Sequence, residues 1–455
     1  MIDATTVADS AHSDSLDSTP FVRGLEKLIP PERLEAILDR TGRTEQRKRR
    51  LTAPSVVWLI VAMSLYARDS IPTAWRRLHG TSPMPEPDPS AFTKARNRLG
   101  VPPMRELFHE VAKPIATPET PGAFHGALRL MAIDGTTLDM PDTQANETVF
   151  GRGGNQRSPN AFPQVRVLAL CEVGTRVVCG LVIRPISIGE QTMVPHLLHS
   201  IGAGMLLLWD RGFCGFKAFE SVCRTGCRLL ARVKSKQQIF RRIRTLSDGS
   251  YSSKIYPTYR DRLKDRNGRI LRVIEFAHFD KKRVGYRVVN RLITDILDPA
   301  ELSAKEAVRL YHERWEIEIV FDEIKTHQNS RDLLLRCRTP RGVIQELYGM
   351  FLAHRIVRQV IFDAATDEKI DPDRLSFLGS LRVIQCHLPE VPDRTPTEWY
   401  ERLLAEIRQQ KLPPRRNRQY PRVIKRKIKK WGKKRPHHKK PEQPTQAYAE
   451  ATVII

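Results

Sequence analysis

The segment Tyr311–Lys325, YHERWEIEIVFDEIK, decides how this chain reads. At about 100° per residue, Tyr311, Arg314, Glu318 and Lys325 share one helical stripe about 60° wide. Leu310, Ile317, Val320, Phe321 and Ile324 make a broad apolar face that can anchor the same helix in a core. The polar stripe must then face something else. An Arg and a Glu four residues apart are also what an ordinary solvated helix surface carries, so the stripe needs support from elsewhere.

Two short stretches upstream supply it: Ile133-Asp134-Gly135-Thr136 and Trp209-Asp210-Arg211-Gly212. Four apolar or β-branched runs, Leu128–Ile133, Val165–Cys171, Arg176–Ile183 and Met205–Trp209, are divided by Gly and Pro turns and predict strands. Asp134 is expected to end the first and Asp210 the fourth, and a helix is expected after Glu190. In an open mixed sheet, catalytic groups gather at the ends of adjacent central strands. Asp134, Asp210 and Glu318 would thus converge from remote positions. Carboxylates are what hard divalent cations take, and phosphodiester chemistry with two ions about 4 Å apart uses such a set. Asp139 and Asp142, in a Pro-containing turn, and Asp322, close to the stripe, compete for the same role.

The spacing Tyr-x2-Arg-x3-Glu-x6-Lys, with Trp315 and Ile317 inside it, resembles the signature of the insertion-sequence-four family of bacterial DDE transposases. The IDGT and WDRG stretches resemble that family's first and second aspartate motifs, in the same order. Arg418–Lys427 (RQYPRVIKRK) is similar to the basic ending of many members. The resemblance runs from about Phe21 to Lys430. It implies an α/β fold: a ribonuclease H-like catalytic core, a β-rich insertion and an N-terminal helical domain that recognises element ends. It further implies that Asp134, Asp210 and Glu318 are the catalytic and metal-binding acids, with Asp134 bridging two Mg²⁺ ions for which Mn²⁺ can substitute. Tyr311 and Arg314 would contact phosphate and Lys325 would support strand placement, with Arg211 beside them. The implied partners are double-stranded DNA, as terminal inverted repeats and target DNA, and a second copy in a homodimer. A stand-alone nuclease or resolvase with the same core, or a decayed DNA-binding protein, are the alternatives. Some relatives pass through a DNA hairpin with an inserted aromatic; the insertion here contains no Trp, so no such residue is named.

Composition agrees. The chain has 455 residues, 76 Lys+Arg against 51 Asp+Glu and a formal charge of +25, which favours a polyanionic partner. Between Arg408 and Lys440 lie sixteen Lys or Arg and no Asp or Glu, a block suited to neutralising phosphates. Seven scattered cysteines indicate reduced thiols in a cytoplasmic protein, and the resemblance implies a bacterial, nucleoid-associated one. No apolar leader opens the sequence, and Val56–Tyr66 is too short to cross a bilayer, so membrane attachment is not expected.

The expected organisation is a disordered 1–20, a helical DNA-binding domain at 21–120, the core at 121–224 and 301–400, a β-rich insertion at 225–300 and a basic tail at 401–455. Asp210 and Glu318 stand 108 positions apart, too far for one connection. RLLARV, QQIFRRIRTL, RILRVIEFAHF and RVGYRVVNRLI alternate like strands and predict a separate antiparallel unit between them. Arg241, Arg242, Arg244, Arg260, Arg262, Lys264 and Arg266 make it basic. Lys94, Arg96 and Arg98 form a short basic helix that either contacts DNA or is simply solvated.

Overall fold

The computed structural model describes residues 28–45, 49–79, 86–155, 158–213, 215–233, 240–281, 286–329, 334–388, 396–413 and 448–455, with Leu25, Arg47, Thr445 and Gln446. The expectations for residues 1–20, for Pro83 and Pro85 and for the tract 414–444 lie outside the described residues.

Helices come first: α1 Pro31–Arg40, α2 Ala53–Leu65, α3 Ile71–His79, α4 Pro89–Leu99 and α5 Pro102–Val111. Thr52 caps α2 by accepting from the Ser55 amide at 3.3 Å. Every α2 side chain but that of Pro54 is buried, as a helix apolar all round must be. Among the described residues no helix is long and apolar enough to cross a membrane.

The sheet follows, with β1 Phe124–His125, β2 Leu128–Asp139, α6 Gln144–Phe150, β3 Arg152–Asn155, β4 Ser158–Glu172 and β5 Val178–Pro185. After α7 Glu190–Met193 and a 3₁₀ stretch Val194–Ser200 come β6 Met205–Trp209, α8 Phe216–Arg224 and β7 Arg228–Arg232. β5, β4 and β2 pair antiparallel, and β2, β6 and β7 pair parallel. This mixed sheet, with helices on both faces, is the expected ribonuclease H-like core.

The segment after β7 departs from expectation. It contains β8 Arg244–Thr245, β9 Tyr251–Ile255, α9 Tyr259–Leu263, β10 Arg269–His278 and β11 Asn290–Thr294. Its strands do not form a separate unit: β11 pairs with β7, and the order β7-β11-β10-β9-β8 continues the central sheet. RLLARV, read as part of the insertion, is β7 of the core, and Tyr251–Ile255, whose alternation is clear, is a strand outside the four expected runs. Edge pairing gives the insertion the support that an isolated hairpin lacks.

The chain then runs through α10 Ala304–His312, a 3₁₀ turn Glu313–Trp315, α11 Glu316–Asp322 and a π-helical Glu323–Gln328. The long α12 Pro340–Asp367 crosses the core, followed by α13 Phe377–His387 and α14 Pro396–Arg408. Finally β12 Thr452–Ile454 pairs with β10, and Tyr448 stacks on His312 with ring centroids 4.3 Å apart. The chain from Arg408 onward contributes to the packing at both described ends: Arg408 donates to the Ala364 carbonyl, and Ala451 and Thr452 are buried.

α2 and α12 meet closely. A Cβ on Gly349 would lie 2.8 Å from the Ile60 carbonyl oxygen, so only glycine permits the contact. Arg96 and Arg98, expected as a solvated face or a DNA contact, are structural: Arg96 is buried and donates to the Gly342 carbonyl, and Arg98 donates to Glu45 and the Leu51 carbonyl. Lys94 is exposed.

A buried charge network holds the helix of the Tyr-Arg-Glu-Lys stripe from behind. Arg176, in the β4–β5 turn at φ +58°, reaches Glu316 at 2.6 Å, Glu323 at 3.3 Å and Asp373 at 2.8 Å. The left-handed backbone costs Arg176 about 1–2 kcal/mol, offset by these partners. Arg358 and His354 bind Glu323 at 2.9 and 3.1 Å. Burial opposes ionisation of Glu323, yet Arg358, His354 and Arg176 hold its pKa down at about 2. Burial pushes Glu316 up to about 8 against the pull of Arg176.

Arg176→Ala removes the guanidinium from the buried Glu316, while Glu323 keeps Arg358, and should destabilise the protein by about 3–5 kcal/mol. Arg40→Ala, which removes an exposed pair with Glu110, should cost less than about 1 kcal/mol. Urea unfolding midpoints measure both, and equal shifts would refute the assignment of the network.

Candidate active site

The aspartates owe their position to strand register. β2 and β6 pair in parallel from Arg129↔Met205 to Ile133↔Trp209, where β6 stops. Asp134 and Asp210 are the next residues on each strand, one strand spacing apart, about 4.8 Å. Asp134 does not end its strand as expected: β2 runs on to Asp139, paired only with β4 on its other edge. Each aspartate gives one oxygen to the following amide. Gly135 N donates to Asp134 Oδ1 at 2.8 Å, and Arg211 N to Asp210 Oδ1 at 2.7 Å. These local bonds hold one oxygen of each carboxylate.

The helical stripe faces this pair. Tyr311 donates its hydroxyl to Asp210 Oδ1 at 3.3 Å. Arg314 is buried and places Nη1 3.4 Å from Asp134 Oδ2 and Nη2 3.0 Å from Glu318 Oε1. A single guanidinium thus spans the first and third acids, which the surface-pair alternative does not account for. Lys325 donates to the Thr137 carbonyl at 2.7 Å, further along β2. The helix is not uniform as expected, since its 3₁₀ turn precedes Glu318 and its π turn contains Lys325. Such turns adjust side-chain phase and recur at functional sites. The anticipated apolar face, Leu310, Ile317, Val320, Phe321 and Ile324, is buried throughout.

Electrostatics follow from this crowding. Burial pushes Asp134 up to about 6, the Gly135 amide and Arg314 pull it down, and Glu318 and Glu190 push it further up. Burial raises Tyr311 and lowers Lys325. Burial opposes the charge on Arg314, but Tyr311, Asp210, Asp134 and Glu318 more than compensate. Its Nε is buried with no acceptor among the described residues.

The competing acids lie elsewhere. Asp139 accepts from Gln164 at 2.6 Å, Asp142 pairs with Arg152, and Asp322 accepts from Thr326 at 2.7 Å. Arg211 is exposed beside Asp210. Among the described residues no group of three or more His, Cys, Asp or Glu side chains is placed to hold a metal ion. The carboxylates are nonetheless of the donor type that hard divalent cations take, with water and phosphate completing the shell. Arg314 also shows that positive charge is accommodated between Asp134 and Glu318. Glu190 lies beside Asp134, and the sequence marks it only as a helix start.

Two aspartates just past the last β2–β6 register pair, faced by a helical glutamate and arginine, are the arrangement expected of a DDE-type enzyme of DNA strand breakage and joining. Residues 21–109 match the insertion element 4 transposase N-terminal family, and residues 125–356 match the transposase DDE domain. The chain is 30% identical over 413 residues to the transposase InsG for insertion sequence element IS4 of Escherichia coli (strain K12), covering 87% of this chain and 90% of that protein. It is 27% identical over 205 residues to the putative transposase InsZ of the same organism, covering 44% and 67%. Among solved structures, the piggyBac transposase synaptic complex with hairpin DNA aligns at a TM-score of 0.43 and 13% identity over 86% of this chain and 85% of that one. The chain belongs to the insertion element 4 family of DDE transposases, enzymes that cleave DNA and transfer its strands with divalent-metal dependence.

Lys325→Met deletes a charged donor to a backbone carbonyl and should cost about 1.5–3 kcal/mol, whereas Tyr311→Phe, losing one long hydroxyl bond, should cost about 1 kcal/mol or less. Chemical denaturation distinguishes them, and a reversed order would contradict the observed bonding.

Proposed function

We propose that this transposase acts on the terminal inverted repeats of its element and on target DNA, as a homodimer, with Mg²⁺ held by Asp134, Asp210 and Glu318. Asp134 would be shared between two ions, Asp210 serving one and Glu318 the other. The single observation that carries this reading is the pair of aspartates one residue past the last β2–β6 register pair, with Arg314 reaching from Asp134 to Glu318. Bound divalent ions supply Lewis acidity to the attacking and departing oxygens. Water adds to the phosphorus at the element end, the P–O3′ bond breaks and the 3′ oxygen leaves as a hydroxyl. That hydroxyl then attacks a target phosphodiester, forming one P–O bond as another breaks.

The protein side chains orient these partners. Arg314 holds Asp134 and Glu318 through its two Nη atoms, and its buried Nε, without an acceptor among the described residues, would be the donor to a phosphate oxygen. Tyr311 keeps the Asp210 carboxylate in place, and Lys325, fixed on Thr137, lines the next stretch of the groove. Arg241, Arg242, Arg244, Arg260, Arg262, Lys264 and Arg266 are all exposed, which supports a role in holding the backbone of the duplex.

Asp134→Ala, Asp210→Ala and Glu318→Ala should each reduce cleavage of an inverted-repeat duplex to background while leaving gel-shift binding within a few fold. Retained cleavage in any one removes that residue from the catalytic set. In a joining assay, absence of strand transfer by a protein that still cleaves would favour a stand-alone nuclease instead.

The basic tract is best tested by exchange, because truncation would also remove β12. Replacing the Lys and Arg residues between Arg415 and Lys440 with Gln should flatten the plot of log affinity against log salt, by about 0.9 for each phosphate no longer neutralised. An unchanged slope would mean that the tract does not touch phosphates.

A further inference from the structure

The 3₁₀ turn between α10 and α11 is the weak joint of the catalytic segment. Tyr311 lies one residue before the end of α10, Arg314 lies inside the turn, and Glu318 follows in α11. A 3₁₀ turn has poorer hydrogen-bond geometry than an α-helix and a different angular step per residue. The joint therefore sets how Tyr311 and Arg314 point relative to each other. The buried network of Arg176 and Arg358 grips the segment at Glu316 and Glu323, beyond the joint.

At the joint itself stands His312. Its ring stacks on Tyr448 with centroids 4.3 Å apart and planes 14° from parallel, and the Tyr448 ring also packs on His278 of β10 at 4.8 Å. Tyr448 thus bridges β10 and the catalytic segment. Its own place is fixed by several bonds. Thr452 donates to its carbonyl at 2.7 Å, β12 pairs with β10 from Phe276↔Ile454 to His278↔Thr452, and the Thr445 amide donates to Asp280 at 3.0 Å. Register runs from Trp209↔Ala231 through Ala231↔Ile293 to Ile293↔Val273. Phe276–His278 therefore lie beyond the level of Asp210, at the active-site end of the sheet.

We propose that Tyr448 is a positioning residue for DNA cleavage. Through its stack on His312 it steadies the joint, so that the Tyr311 hydroxyl stays on Asp210 and Arg314 stays between Asp134 and Glu318. The proposal rests on the reading of those three acids as the catalytic set. It gives the segment that follows the basic tract a part in catalysis separate from any contact with DNA.

The test uses the full-length protein and the rate of cleavage of an inverted-repeat duplex at saturating protein, so that binding and chemistry separate. Tyr448→Ala should lower that rate about tenfold or more, since small misplacements of reacting groups are costly. Duplex affinity and the thermal midpoint should stay close to wild type. Tyr448→Phe keeps the ring and should restore the rate. His312→Ala should slow cleavage as Tyr448→Ala does, and the double variant should be no slower than either, because one stack is lost in all three. A wild-type rate for Tyr448→Ala, or single losses that multiply in the double variant, overturns the proposal. A loss of rate that merely tracks loss of folded protein overturns it equally. Should Tyr448→Ala not fold, Tyr448→Leu, which keeps apolar volume without a flat ring, takes its place. Asp210→Asn guards the underlying reading: cleavage by that variant removes Asp210 from the catalytic set, and the proposal with it. An inactive Asp210→Asn beside a fully active Tyr448→Ala leaves the catalytic set standing and removes only the positioning role.

Discussion

The structure depends on one inequality of strand length: β2 outlasts β6. Their parallel ladder ends at Ile133 and Trp209, so the next residue of each strand projects a side chain where one neighbour has gone. Were β6 longer, both aspartates would be flanked by ladder and covered. Were β2 to stop at Asp134, nothing would carry Thr137 to Lys325. The step between the strands makes a notch lined on one side by extended backbone, and the helix from Tyr311 closes over it.

That helix must be held firmly, because its polar side faces acids that repel each other and its own Glu318. Burial of Ile317, Val320 and Ile324 fixes its depth. Apolar contact alone permits rotation and sliding, and the charges behind it remove both freedoms. Arg176 grips Glu316 and Glu323, about two turns apart on one side of the helix, and Arg358 grips Glu323 from α12. Ion pairs buried this deeply bring little net stability compared with apolar residues of the same shape. Their directionality suits a helix whose Glu318 must stay aligned with Asp134. The same segment accommodates a 3₁₀ turn and a π turn, departures from the ideal spiral that an unrestrained helix would anneal away.

Much of this arrangement is legible from residue order. The Tyr-Arg-Glu-Lys stripe and its apolar face show in the helical spacing, while Asp134 and Asp210 stand out only through the family resemblance of the IDGT and WDRG stretches. What escapes is what spacing does not encode. Asp134 reads as a strand end because the apolar run stops at Ile133, yet the following Gly-Thr-Thr-Leu continues the strand with β4 as partner. RLLARV reads as part of an insertion because it follows Asp210 so closely, whereas short parallel strands in a core carry no mark of their neighbour. Arg96 and Arg98 look like a basic surface, since sequence gives charge without depth. β12 is hidden behind a long cationic tract whose composition dominates the reading of everything after it.

One contact has an evolutionary consequence. Gly349 lets α12 lie against the backbone of Ile60, and Leu34, Trp75 and Phe108 of the amino-terminal helices belong to the same hydrophobic core as Ile317 and Leu347. The amino-terminal region is therefore not a detachable cassette. A foreign set of helices could not simply be spliced in, because the exchanged piece would have to reproduce the interdigitated surface of α12 as well. Change is accommodated most readily at solvent-facing helix positions such as Lys94, which leave that interior untouched. The catalytic half and the amino-terminal half are obliged to be inherited together.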